Sequence, residues 1–189
     1  MPATIRRLTE RDLDEADRIF RLAFGTFLGL PDPLQFAGDS DWTRTRFRTD
    51  PEAPLGAELD GRLVGSNFVT TWGSVGFFGP LTVHPDLWEA GIAKQLLAAT
   101  MEVFGARRTR HAGLFTFAQS AKHVHLYQRF GFWPRQLTMV MAKVIDGAKD
   151  SARTGWSTFA RGDVAGVNTA RRDEPGFSRE SDWVLDDWR

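Results

Sequence analysis

Apolar positions along the chain fall into two rhythms that predict its elements. Leu13, Ala16, Ile19, Phe20, Ala23 and Phe24 recur three and four residues apart, which gives one apolar helix face. Thr9 stands ahead of them as an N-cap, Asp12 is a second capping residue, and Gly25 is expected to end the helix. The short apolar run Ile5 to Leu8 before it reads as an edge strand. A loop rich in Gly, Pro and Asp then leads to a short helix over Trp42 to Arg48, with Asp39 or Ser40 as its cap. Ala57 to Leu59 and Leu63 to Thr71 are strand-like, and Asp60-Gly61 between them predicts a tight hairpin. Val75 to Val83 is a further strand. Pro80 inside it predicts a bulge, because proline cannot donate to the ladder.

Helical spacing returns at Ile92, Leu96, Ala99 and Val103 and predicts a long helix running to about Ala106. Gly113 to Phe117 reads as a short buried strand. Ala121 to Phe130 reads as a helix that Gly131 ends, and Phe132 to Val144 as a strand broken around Pro134. This order predicts a mixed α/β fold of the α+β type, built around one sheet. From about Gly147 the aliphatics thin out and no period survives. Residues 1–146 are therefore expected to form one domain, and 147–189 an irregular tail, either disordered alone or the remnant of a second domain. Trp156, Trp183 and Trp188 are unusual for pure linker and suit docking against something.

Composition narrows the function classes. The 24 basic residues balance the 24 acidic ones, which argues against a broad electrostatic grip on nucleic acid or an anionic membrane. The lack of cysteine excludes disulfides, thiolate metal sites and a cysteine nucleophile. The N-terminal stretch has no apolar core of a secretory signal, and no apolar run approaches a membrane span, so a cytoplasmic location is expected. Aromatic usage is skewed, with 15 Phe and 7 Trp against one Tyr.

Two segments carry chemistry. In Leu81 to Leu97 a strand ends, a proline-marked turn follows, and a helix begins near Gly91. A helix start has unsatisfied N–H groups and the positive end of the macrodipole. Gly91 and Ala93 keep that backbone uncovered for a phosphate, and Lys94 in the first turn suits an anion better than it suits the helix. Glu89 suits an anion only if its side chain turns to solvent. A plain strand–loop–helix connection is the alternative. The second segment is His123 to Phe132, which holds Tyr127, the single tyrosine. Its hydroxyl is either chemical or one end of an ordinary buried ring.

Together these segments resemble the GNAT superfamily of acetyl-CoA-dependent N-acetyltransferases. The family's Q/R-x-x-G-x-G/A stretch is matched by Trp88-Glu89-Ala90-Gly91-Ile92-Ala93, and its later tyrosine four residues before Gly-Phe by Tyr127 with Gly131-Phe132. Ser120 falls where the family often has Asn or Ser near the cofactor arm. The resemblance covers roughly residues 3 to 144. It implies a central mixed sheet with a splayed strand pair and helices on both faces. It implies acetyl-CoA as cosubstrate, with Leu81, Thr82 and Val83 pairing with its arm and its pyrophosphate on the N–H groups of residues 88 to 94. Tyr127 becomes the general acid toward the leaving thiolate, and the acceptor a small-molecule or peptide amine.

Three departures qualify this. Trp88 stands where the family has Gln or Arg. Val75 to Val83 holds no Asp or Glu to act as base, which leaves Glu58, His111, His123 and His125, each open to a plain structural reading. Phe132 to Val144 is short for a closing strand pair, so the sheet edge calls for the tail, a second domain, or a second copy in a homodimer. The competing function is a non-catalytic acyl-CoA-binding or regulatory module. A nucleotide-binding protein lacks its Walker or GxGxxG loop here, and a metal enzyme is disfavoured because His123 and His125 do not share a helix face.

Overall fold

The computed structural model describes residues 3–135. Strand β1 (Thr4–Arg7) leads through a short turn, Glu10–Asp12, into helix α1 (Leu13–Leu28). Asp12 fixes that entry. Its carboxylate accepts the Thr9 N–H at 2.8 Å and pairs with Arg6, which also reaches Glu58 at 2.7 Å. Helix α2 (Trp42–Thr49) follows, then strands β2 (Leu55–Leu59), β3 (Arg62–Trp72) and β4 (Val75–Val83), helix α3 (Ile92–Ala106), strand β5 (His111–Gly113) and helix α4 (Ala121–Gln128).

The strands form one sheet in the order β1-β2-β3-β4-β5, antiparallel throughout except for the parallel β4–β5 pair. The Asp60-Gly61 hairpin is as expected, with both residues in the left-handed region at φ 51° and 75°. Alternation along β3 sends its neighbours to opposite faces. Phe68 packs with Leu8, Leu13, Ala16 and Phe47 beneath α1 and α2. Val69 joins Ala57, Phe78, Leu96, Leu97 and Val103 beneath α3.

Four expectations change. Gly25 does not end α1, which runs on to Leu28 and is capped by Gly29 at φ 70°. Gly25 is needed for contact instead: a Cβ there would lie 2.2 Å from the Pro33 carbonyl oxygen. The cap of α2 is Asp41, which accepts the Arg44 N–H at 3.3 Å, and not Asp39 or Ser40. The strand expected over Gly113 to Phe117 is three residues, His111–Gly113, and Phe115 is 75% exposed. No strand begins at Phe132 within the described residues. Most of that segment and the whole tail, with the domain boundary at 146/147, lie outside them.

The shortened β5 has a cause in β4. Asn67 pairs with Leu81 and Val69 with Phe78, so two residues of β3 advance while three of β4 do. The extra residue lies in Gly79-Pro80, as Pro80 predicted. β5 pairs with β4 only over Val75, Gly76 and Phe77. Beyond the bulge β4 bends away, and a gap opens between the two strands.

Candidate active site

The gap holds a cavity of about 470 Å³. Its walls are β4 from Phe78 to Val83, the start of α3, the chain after β5, α4, and the last turns of α1. Leu81, Thr82, Val83, Trp88, Glu89, Gly91, Ile92, Ala93, Lys94, Ser120 and Tyr127 all line it, and Ala90 does not.

Strand register decides which backbone groups face the cavity. The His84 N–H donates to the Val64 carbonyl at 2.8 Å, which makes residues 84 and 64 a hydrogen-bonded pair. Antiparallel pairs alternate, so the N–H and C=O of Val83 and of Leu81 point away from β3. One of these four groups is already used: the Trp88 indole Nε1–H donates to the Val83 carbonyl at 2.9 Å.

At the other end of the cavity Gly91 caps α3 in the left-handed region at φ 78°, with no side chain closing the helix start. The first bond along α3 is Gln95 N–H to the Gly91 carbonyl at 3.2 Å, so the N–H groups of Ile92, Ala93 and Lys94 have no partner within the helix. The N–H groups of Trp88 and Ala90 are committed to Pro85 and Leu87 at 3.1 and 3.3 Å. This narrows the expected donor run of 88 to 94. Ala93 keeps the approach open, and Lys94 makes no ion pair among the described residues. Glu89 also has positive φ, 71°, and turns outward to pair with Lys122 of α4 at 2.8 Å. Lys122 holds its carboxyl below the usual range. With both partners exposed the pair adds little stability. Glu89 is the one carboxylate of the cavity wall among the described residues, against Lys94, Lys122 and Arg129, so the wall favours an anion.

α4 supplies the opposite wall. Ser120 is its N-cap and leaves its hydroxyl without a cap bond. Tyr127 packs its ring on Phe78, 5.9 Å between centroids, and Phe78 meets Phe132 at 5.5 Å. The Tyr127 hydroxyl makes no hydrogen bond among the described residues, and burial pushes its pKa up to about 12. His123 lies one turn earlier, half-buried, its ring 5.0 Å from Phe27, which in turn lies 5.0 Å from Phe117. Burial, and then Lys122, lower its pKa. The sequence offers His123 only as one of several histidines open to a plain structural reading. The signal available was its spacing of four from Tyr127.

Of the other base candidates, Glu58 and His111 fall outside this arrangement, and His125 borders the cavity as an exposed side chain. Glu58 lies on β2 and is held by Arg6. His111 is on β5 and His125 on α4, both exposed. Of the aromatic residues singled out in the first half, Phe24 and Phe27 reach the cavity from α1 and the buried Phe78 lines it from β4, whereas Phe68 is core. No group of three His, Asp or Glu side chains among the described residues is arranged to hold a metal ion. No helix among them is long and apolar enough to cross a membrane.

A mixed sheet with a bulged fourth strand, a gap beside it and an uncapped helix start at the gap's end defines an acyltransferase-type fold. The chain belongs to the acetyltransferase (GNAT) family, whose model matches residues 14–132. It is similar to a mycothiol acetyltransferase of Clavibacter michiganensis, 31% identical over 134 residues, covering 70% of this chain and 44% of that protein. The chain thus spans less than half the length of that relative. Among solved structures it resembles the PaiA N-acetyltransferase of Thermoplasma acidophilum in complex with coenzyme A. The TM-score is 0.62 at 18% identity, over 73% of this chain and 94% of that one. It also resembles the ribosomal-protein-S18-alanine N-acetyltransferase of Escherichia coli, with TM-score 0.57 and 19% identity, over 71% of this chain and 79% of that one.

Proposed function

We propose that this chain moves an acetyl group from acetyl-CoA to a primary amine, by direct attack with both substrates bound. The observation that carries the reading is the register of β4, which turns Leu81 and Val83 backbone groups into the cavity and toward Tyr127 across it. The residues fit the cosubstrate. The N–H groups of Gly91, Ile92, Ala93 and Lys94 and the basic wall suit a pyrophosphate. Leu81 and Val83 suit an amide-bearing arm, with Thr82 between them and Ser120 opposite. When bound, acetyl-CoA supplies an activated acyl group.

Each protein group then has one task. An N–H of Leu81 or Val83 polarises the acyl carbonyl. Tyr127 donates its hydroxyl to the sulfur. A thiol titrates at about 8.5, so a phenol raised to about 12 stays neutral throughout the working range. It therefore acts first as a hydrogen-bond donor that orients the sulfur. It gives up its proton only as the attacking nitrogen returns one. The rings of Phe24, Phe27 and Phe117 favour an acceptor with an apolar or aromatic arm.

The test is thiol release from acetyl-CoA across small-molecule and peptide amines graded by apolar size, with the acetylated product identified by mass. The reading expects turnover that rises with the apolar arm. Cosubstrate binding without turnover of any amine would favour the non-catalytic module, a reading the scarcity of carboxylates in the wall also supports.

A further inference from the structure

An amine of pKa about 10 arrives as ammonium at neutral pH, and its lone pair is available only once a proton has left. The two candidate carboxylates do not serve. Glu58 is bound to Arg6, and Glu89 stands at the mouth bound to Lys122. Resting on the transferase reading above, we propose that His123 takes the ammonium proton of the acceptor amine, one helical turn from Tyr127.

Geometry selects His123 among the histidines. Residues four apart on a helix share a face with Cβ atoms about 5–6 Å apart, and a helical side chain leans toward the N-terminus. His123 and Tyr127 therefore meet the same part of the cavity, which both line. His125 also borders the cavity, but two positions on it is turned from the face that His123 and Tyr127 share and is exposed. The His123 imidazole rests on Phe27, and neither ring nitrogen makes a hydrogen bond among the described residues. A substrate N–H can therefore take up that capacity.

The surroundings keep the imidazole neutral. Helix α1 presents Phe24 and Phe27, and the chain after β5 presents Phe117 and Ser120, none of them charged. The loop before α3 presents Glu89, whose charge is offset by Lys122, and α3 presents Lys94. From α4 and its end come Lys122, His125, Arg129 and the neutral Tyr127, none of them an anion that would favour the imidazolium. Burial and Lys122 both lower the His123 pKa, so it is an empty proton acceptor at pH 7.

The proton balance closes. One ammonium proton passes to His123, which holds it through the transfer and then releases it to water. The freed lone pair forms the N–C bond, and the C–S bond breaks with its electron pair left on sulfur. Tyr127 protonates the sulfur and recovers a proton from the nitrogen. The products are an amide and a thiol, with one proton released.

The pH dependence of kcat/KM tests this with the full chain, acetyl-CoA and the best amine of the panel. With a neutral histidine and an ammonium substrate, the wild type should be level between pH 7 and 9. His123→Ala and His123→Gln should fall about 100-fold at pH 7. Each should then climb about tenfold per pH unit, because only free amine reacts. His125→Ala should keep the level profile. Unchanged melting and acetyl-CoA affinity would show that both His123 variants are folded. A wild type that itself climbs tenfold per unit, or His123 variants with a level profile, would overturn the inference and leave the transferase reading standing. A wild type that binds acetyl-CoA and turns over no amine would overturn both.

Discussion

The Trp88 indole donates to the Val83 carbonyl at 2.9 Å and so ties the loop before α3 to the end of β4. At this position the family pattern has a polar side chain directed at the cosubstrate. Here the side chain spends its polar atom on the protein, and its ring is 39% exposed. Trp88→Phe keeps most of the ring and removes the bond. A lost hydrogen bond of this kind costs ~1 kcal/mol. If the bond serves to hold the donors near Gly91 in place, acetyl-CoA affinity should fall about fivefold by titration calorimetry. Unchanged affinity would mean that the loop holds its shape without it.

Gly25 gives a prediction whose sign opposes helix propensity. In a free helix Gly→Ala stabilises by up to ~1 kcal/mol. Inside α1 the new methyl would meet the Pro33 backbone at 2.2 to 2.7 Å. Gly25→Ala should therefore lower the urea midpoint, by about 1–3 kcal/mol in stability. It should also weaken activity, because α1 and its loop would separate beside Phe24 and Phe27.

Asp12 sets an acid dependence. Arg6 and the Thr9 N–H hold its carboxyl well below the usual carboxylate range. The folded value is depressed, so the stabilisation is fully present above the unfolded value of about 3.9 and is lost as pH falls toward the folded one. Urea unfolding between pH 2 and 7 should show wild-type stability falling below about pH 4. Asp12→Asn should be less stable at neutral pH and flatter in acid.

Tyr127→Phe separates binding from chemistry. The ring contact with Phe78 survives and the hydroxyl is lost. Affinity for acetyl-CoA should stay within about twofold, while kcat drops about 100-fold. Because the phenol titrates near 12, Tyr127 should contribute no alkaline limb to the wild-type profile below about pH 10.

Local patterns read well where local forces decide. Asp60-Gly61 needs positive φ at two successive residues, and those residue types announce it. Pro80 announces the bulge because it lacks a donor, and the bulge opens the site. Contacts distant in sequence read poorly. Gly25 looks like a helix end until the Pro33 backbone is laid against it. Leu114, Phe115 and Phe117 look like a buried strand, yet their partner strand bends away at Gly79-Pro80 and they are left lining a cavity. Trp88 and His123 stand out in the sequence, but their contacts are not legible there for the same reason. The Val83 carbonyl and the Phe27 ring that define them come from other elements.

In the proposed function, acetyl-CoA binding rests most on a pyrophosphate seat at the start of α3. Nothing lies within 4 Å of a Cβ built on Gly91, so a side chain there disturbs no packing, although its φ of 78° strains any residue but glycine. Calorimetric titration with acetyl-CoA should give micromolar affinity for the wild type, about −8 kcal/mol. Gly91→Glu, which sets a carboxylate among the donors, should show no binding while still melting cooperatively. No heat with the wild type, or equal binding by a folded Gly91→Glu, would contradict the account at its base.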